Sequence, residues 1–273
     1  TEEGPDLGSN SFFRLERPAI LLVADAPLDP YETGTVWHLL DVLHDYPVTL
    51  VRRSQLERMD LSRYNALVLP TAWGQAYGKG LVDKVRDWVR GGGHLVCLGN
   101  AAEWAIREGV VSTIREREDQ KADAESPAAD SADKSASAEE NGSMRRPFAA
   151  AADDKALERI RGAIFQTEVD LTHPLAYGIG TARLPVFVES EFFLEPSSDP
   201  YQTPLIFTDA PLLSGYASTK NLQRMTGAAA AAVEPIGSGA VILFGHSPTF
   251  RAYWRGTEKL LLNALLFGGQ MRP

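Results

Sequence analysis

Short apolar runs alternate with amphipathic stretches through the first hundred residues of the chain. The apolar runs show no polar alternation, which is typical of strands covered by helices on both faces; they span residues 19–24, 48–51, 66–70 and 95–98. Apolar residues recur at helical spacing in 34–45 and again in 80–90. This alternation of strands and helices predicts an α/β fold built on a doubly wound, mostly parallel sheet.

The second half of the chain has a pattern that favours additional β structure. A short helix is predicted at 155–161, and strands are predicted at 163–169, 186–188 and 204–207. The apolar runs 228–233 and 240–244 flank a turn at 235–239 that contains Pro235 and two glycines, and this arrangement predicts a hairpin. A final apolar helix at 257–267 should pack on the sheet.

Two segments differ from the rest in composition. Residues 1–17 are polar at the start and resemble a linker from a missing upstream domain, which leaves 18–273 as one domain. Within that domain, 115–146 consists mainly of Ala, Ser, Asp, Glu and Lys. Such a composition buries too little apolar surface to offset the entropy of ordering, so we expect a disordered insertion. A solvated charged helix over 115–124 stays open as an alternative.

Overall composition narrows the classes of function. The net charge of −9 and the absence of a basic stripe disfavour a nucleic-acid partner. The single cysteine, Cys97, excludes an intrachain disulfide and a cysteine-based zinc site. No apolar run has the length of a membrane span, and no phosphate-loop or dinucleotide glycine spacing is present.

The most informative stretch is 91–104, which predicts a central strand that turns into a helix. Ligands of open α/β sheets bind at the carboxyl ends of the strands, so the candidate pocket surrounds Cys97 and includes Asn100 and Glu103. Asn100 and Glu103 have the spacing of a helix N-cap and capping box. His246 follows the strand at 240–244 and should stand at the same edge of the sheet.

Other residues have two possible roles each. Glu32, Trp37 and Trp73 follow predicted strands and line the pocket mouth, unless the aromatic side chains only cap the sheet edge. His94 opens a strand and is predicted to lie at the rim, with ligand binding as the alternative. His173 precedes Pro174, and the residue before a proline is held extended, which favours a role in a turn.

Several motifs together resemble a known family. The Cys-Leu-Gly turn at 97–99 resembles the nucleophile turn of class I glutamine amidotransferase-like domains, which have a flavodoxin-like fold. The stretches 33–41, 170–175 and 245–251, in that order, resemble the amidotransferase-like domain at the C-terminus of secreted zinc carboxypeptidases of the carboxypeptidase A kind. The resemblance implies a metallocarboxypeptidase partner domain N-terminal to this chain and a periplasmic or secreted location.

The zinc that the resemblance implies belongs to that missing domain. Zinc carboxypeptidases bind their metal with a His-x-x-Glu pair and a distant histidine, and none of the five histidines in this chain has a glutamate three positions later. We therefore expect no cofactor and no metal ligands in this chain.

Two functional hypotheses follow. In the first, the chain is a non-catalytic accessory or binding module for a small-molecule or peptide ligand, with a degenerate pocket around Cys97, Asn100 and His246. In the second, it is a cysteine-dependent hydrolase or amidotransferase-like enzyme with Cys97 as nucleophile and His246 as base. Leu95 stands where a nucleophile turn needs a small residue, and Pro248 stands where the family has an acid. The sequence therefore favours the binding module.

Overall fold

The computed structural model describes residues 15–74, 76–118, 148 and 151–272, with only the backbone of 153 and 154. Within these residues, nine strands form one sheet. The strands are β1 (Ile20–Val23), β2 (Val48–Val51), β3 (Ala66–Leu69), β4 (His94–Leu98), β5 (Ala163–Val169), β6 (Arg183–Val188), β7 (Leu205–Ser214), β8 (Ala229–Ile236) and β9 (Gly239–Phe244).

One half of the sheet is parallel and has the order β2-β1-β3-β4-β9. This is the strand order of flavodoxin-like folds, in which the strand order reverses beside the first strand. Strand β4 lies in the middle of the sheet, between β3 and β9, and all five of its residues are buried. The predicted α/β fold, with a flavodoxin-like parallel sheet and extra β structure in the C-terminal half of the chain, is thereby confirmed.

The other half is an antiparallel extension that continues from β9 through β8, β7 and β5 to β6. Strands β8 and β9 form the predicted hairpin around Gly237, whose φ of +62° requires a glycine. The alternating burial of β5 and β6 shows one covered and one more open face, as antiparallel sheets allow.

Helices cover the sheet. They are α1 (Pro30–Trp37), α2 (Arg53–Leu56), α3 (Gly80–Arg90), α4 (Asn100–Arg107), α5 (Ala151–Leu157), α6 (Thr219–Met225) and α7 (Glu258–Phe267). Helix α1 begins four residues earlier than the apolar spacing predicts, because Asp29 caps it and accepts hydrogen bonds from the backbone of Tyr31 and Glu32. It continues directly into a π-helical segment, His38–Leu43.

The apolar core lies in two layers, one on each face of the sheet. Leu22, Val96 and Phe244 pack on one face together with Phe165 and Leu205 of the antiparallel half. Leu21, Leu95, Cys97 and Leu243 pack on the other face with helices α3 and α4. Side chains alternate between the faces along each strand, so Cys97 and Phe244 belong to opposite layers.

Two sequence predictions change at their boundaries. Residues 115–118, placed in the disordered insertion, are an ordered segment: Glu116 forms a bridge with Leu194, and Arg117 donates its backbone N–H to the Phe193 carbonyl at 2.8 Å. Of the rest of that insertion, 119–146 lies outside the described residues, as do 1–14 of the predicted linker. The short helix predicted at 155–161 is instead α5, which ends at Leu157.

Candidate functional site

The turn from β4 into α4 is made by Gly99. Its backbone has φ +52° and ψ −123°, a conformation that L-residues with a side chain rarely adopt. A Cβ at this position would overlap the Thr71 side-chain oxygen, which fills the space and donates to the Leu98 carbonyl at 3.3 Å. Glycine is therefore required both by the backbone angle and by the neighbouring side chain.

Cys97 lies two residues before this turn and is wholly buried in the apolar layer. Burial raises the pKa of its thiol well above the ordinary range, because the thiolate would lose its solvation. The strained backbone of the strand-to-helix turn thus falls on Gly99, and the cysteine occupies an ordinary strand position.

Asn100 has a different role from the predicted N-cap. Its side-chain oxygen accepts the Ala72 backbone N–H at 2.8 Å, and its amide nitrogen donates to the Ala72 carbonyl. The side chain thereby joins the start of α4 to the loop after β3. The predicted capping box is wrong, because Glu103 instead pairs with Arg107 at 3.3 Å along the helix.

A cavity of about 500 Å³ opens at the carboxyl ends of the parallel strands. Volumes of this order are typical of sites for small organic molecules. Its wall comes from the loops after β1, β3, β4, β6 and β9 and from the segment at 116. The polar and glycine residues that line it include Asp29, Glu32, Thr71, Gly99, Asn100, Glu103, Glu116, Glu189, Ser190, Glu191, His246, Ser247 and Arg251.

His246 lines this cavity and is only 4 % exposed. Its ring meets Phe244 edge-on at 5.9 Å, so it lies over the layer opposite Cys97. Burial lowers the pKa of His246 to about 4, and the nearby Ala230 carbonyl opposes this shift only in part. Neither ring nitrogen has a partner in hydrogen-bonding geometry among the described residues. The structure therefore does not bring Cys97 and His246 together as a hydrogen-bonded pair.

Glu32 also faces the cavity, from the first turn of α1. Burial raises the pKa of this carboxyl to about 7, although hydrogen bonds from Thr71 and Ser247 oppose the rise. The Thr71 backbone N–H donates to the carboxyl at 2.5 Å. Close to neutral pH, Glu32 can therefore exist with or without its proton, as a general acid or base requires.

The two tryptophans predicted at the pocket mouth lie at a second cavity, of about 430 Å³. Trp37 and Trp73 are 39 % and 61 % exposed and share this apolar hollow with Leu50 beside β1 and β2. The predicted pocket set is thus divided: Glu32, Asn100 and Glu103 line the acidic cavity, and both tryptophans line the other one.

The remaining two histidines of interest have structural surroundings. His94 is not at the rim: it starts β4 at the opposite end of the strand and is buried, with Nε2 2.9 Å from the Leu265 carbonyl oxygen. Burial lowers the pKa of His94 to about 4. His173 shapes a turn, because its Nδ1 accepts the Leu175 backbone N–H at 3.0 Å.

Sequence reasoning missed five charged side chains of the cavity: Asp29, Glu116, Glu189, Glu191 and Arg251. Glu189 and Glu191 directly follow β6, but β6 is an edge strand far from β4 in the sheet order, and only the fold brings its end to the cavity. Among the described residues no cluster of three or more His, Cys, Asp or Glu side chains is arranged to hold a metal ion. No helix in the described part of the chain has the length and apolarity needed to cross a membrane.

Comparison with known proteins places the fold. Neither protein-family models nor the sequences of curated proteins match this chain. Among solved structures, a ThuA-like protein from Parabacteroides merdae superposes with a TM-score of 0.55 at 13 % identity, covering 93 % of this chain and 90 % of the other.

Two further solved structures have TM-scores below 0.5. A protein described as a GMP synthase component from Thermoplasma acidophilum has a TM-score of 0.49 at 9 % identity, covering 92 % and 94 % of the two chains. A β-galactosidase from Bacillus circulans has a TM-score of 0.47 at 10 % identity, and the match covers 93 % of this chain and 31 % of the enzyme. The ThuA-like structure is the one that carries the assignment: this chain has the glutamine amidotransferase-like, flavodoxin-like fold.

Proposed function

We propose that this chain is a non-catalytic module that binds a small ligand in the cavity at the carboxyl ends of its parallel strands. The observation that carries the proposal is the turn at Gly99. The residue that has the strained backbone expected of a nucleophile elbow is Gly99, which has no side chain. Thr71 fills the space that a side chain would need there. The cysteine beside it is buried and held as a thiol.

We further propose that the module serves a zinc carboxypeptidase-like enzyme whose peptidase domain precedes it in the full-length protein. The support is the set of sequence motifs at 33–41, 170–175 and 245–251. Two of these motifs meet in the fold, since the buried hydroxyls of Thr35 and Thr249 lie 3.0 Å apart. Zinc would then belong to the partner domain, and the location would be periplasmic or secreted.

Thiol labelling tests whether Cys97 is unreactive, as a non-catalytic module requires. Native protein at neutral pH should react with iodoacetamide at least about a hundredfold more slowly than an accessible thiol, because a buried thiol is seldom ionised or exposed. The matched control carries Ser214→Cys, at an exposed position of β7, in a Cys97→Ser background. Rapid labelling of native Cys97 that slows on His246→Ala would establish the cysteine-dependent enzyme instead.

The partner domain has a separate test. The coding sequence upstream of this chain should encode a peptidase domain with a His-x-x-Glu pair, preceded by a signal peptide. An upstream sequence without that pair would refute the association with a carboxypeptidase and leave the binding module standing.

A further inference from the structure

Negative charge dominates the wall of the cavity. Among the described residues, six side chains with a carboxyl group line it, Asp29, Glu32, Glu103, Glu116, Glu189 and Glu191, against one guanidinium, that of Arg251. The Arg251 guanidinium lies over the rings of Tyr31 and Phe250, at 5.6 and 5.2 Å from their centroids. The Arg251 guanidinium is therefore held by aromatic faces, and the described part of the cavity wall keeps an excess of negative charge.

Four of the six carboxylates already have partners within the protein. Asp29 caps helix α1, and Glu32 accepts the Thr71 backbone N–H. Glu103 pairs with Arg107, and the carboxylate of Glu191 accepts the Ile160 backbone N–H at 2.7 Å. The geometry of these four is explained by the fold alone.

Glu116 and Glu189 have no such explanation. Neither carboxylate forms a hydrogen bond or an ion pair with another described residue. Burial raises the pKa of both, and the charges of Arg224 near Glu116 and Arg251 near Glu189 oppose the rise only in part. Both side chains are exposed to solvent at the cavity, so their carboxylates are accessible to a bound cation and need not give up a hydrogen bond within the protein to reach it.

His246 provides an independent indication that something polar binds here. Its ring is almost fully buried against the cavity, and both nitrogens lack a hydrogen-bond partner among the described residues. Buried polar groups in proteins are nearly always hydrogen-bonded. Because the ring is neutral near pH 7, it can offer one donor and one acceptor without repelling a cation.

We infer that the cavity binds a small organic cation, with Glu116 and Glu189 holding an ammonium or guanidinium group and the His246 ring hydrogen-bonding a second polar group. The inference deepens the proposed binding function and rests on it. The volume of about 500 Å³ accommodates a molecule of this kind. Neutral polyols and anions lack the positive charge that complements the carboxylates of Glu116 and Glu189.

Calorimetric titration with three probes of matched length tests the inference. Pentane-1,5-diamine should bind at pH 7, whereas pentane-1,5-diol and glutarate should bind at least about tenfold more weakly. Raising the NaCl concentration should weaken binding of the diamine, because part of the attraction is between charges that salt screens.

Variants then locate the binding. The double variant Glu116→Gln, Glu189→Gln should lose at least about tenfold in affinity for the diamine, since each charge-assisted hydrogen bond would become a neutral one. The matched control Glu168→Gln removes one exposed carboxylate from β5 and should leave the affinity unchanged. The double variant should also unfold at the same or a higher temperature than the wild type in the absence of probe, which shows that lost affinity is not lost fold.

Opposite results are equally clear. Binding of the diol or of glutarate as tight as that of the diamine would overturn the cation assignment, as would equal losses in the double variant and in Glu168→Gln. Those outcomes leave the binding module itself intact, because its test is the reactivity of Cys97. Fast labelling of the native thiol would defeat the proposed function whatever the diamine does.

Discussion

At the scale of single residues, the cavity contains a carboxyl group that folding keeps close to half-ionised at neutral pH. Water cannot solvate the Glu32 carboxylate, and hydrogen bonds from Thr71 and Ser247 replace that solvation only in part. The folded protein therefore holds a proton on Glu32 at pH values where the unfolded chain has released it. Folding and ionisation of this residue are coupled.

The coupling predicts a pH-dependent stability. Between pH 4.5 and about 7 the folded state binds the Glu32 proton more strongly than the unfolded state does. The stability that this proton contributes to the fold is therefore complete below pH 4.5 and is lost as the pH rises to about 7. The shift corresponds to a change on the order of 3 kcal/mol in the free energy of unfolding. Glu32→Gln, which keeps an oxygen for the Thr71 N–H, should abolish this dependence.

The measurement is urea unfolding of wild type and Glu32→Gln at several pH values. Burial lowers the pKa values of His94 and His246, so these two residues make the fold more stable as the pH rises from about 4 to 6.5. Their effect is therefore opposite to that of Glu32. Only the difference between the two proteins isolates Glu32. That difference should grow in favour of the variant toward pH 7, and a difference independent of pH would show that Glu32 is ionised normally.

At the scale of elements, the strand-turn-helix around Gly99 shows what the sequence could and could not predict. The apolar run at 95–98 predicts β4 correctly, because a buried strand depends mainly on local composition. The turn depends on distant partners: Gly99 donates its N–H to the Phe244 carbonyl, and Asn100 binds Ala72. Local spacing therefore predicted a capping box at Asn100 where the fold makes a bridge between loops.

The residues that line the cavity could be predicted from the sequence even less completely than the turn. Glu32, Asn100 and Glu103 could be predicted as pocket residues, because they follow strands of the parallel half. Glu116 and Glu189 come from a segment with the composition of an insertion and from the end of an edge strand. No periodicity in the sequence indicates that these two carboxylates share one wall.

The turn yields its own prediction. Gly99→Ala should destabilise the fold by about 3 kcal/mol or more, from backbone strain combined with overlap between the new Cβ and Thr71. Gly109→Ala is the matched control, because Gly109 also has a positive φ but nothing within 4 Å of an added Cβ. It should cost only on the order of 1 kcal/mol.

A double-mutant cycle separates the two causes. Thr71→Ala removes the overlapping oxygen and leaves a Cβ at the ordinary contact distance of 3.5 Å. In that background, Gly99→Ala should cost about 1 to 2 kcal/mol less than in the wild type. Strictly additive effects in urea unfolding would mean that Thr71 does not fill the space at the turn.

At the scale of the whole molecule, the parallel and antiparallel halves are parts of one sheet and share one apolar layer. Leu22 of β1 and Leu205 of β7 lie in opposite halves, yet both are fully buried in the same cluster, which also contains Phe165 and Phe244. The described residues on both sides of the hairpin β8–β9 should therefore unfold together, since neither half can keep its core when the other is lost.

This shared core predicts one cooperative transition in urea, with circular dichroism and tryptophan fluorescence giving the same midpoint. Leu22→Ala and Leu205→Ala should each lower the free energy of unfolding by about 3 kcal/mol and shift that single transition. Leu213→Ala, at a 48 % exposed position on the same strand as Leu205, should change it by less than about 0.5 kcal/mol. An earlier, separate transition in Leu205→Ala alone would mean that the antiparallel extension folds as an independent unit, and the cavity wall at Glu189 could then move apart from the wall at Glu32.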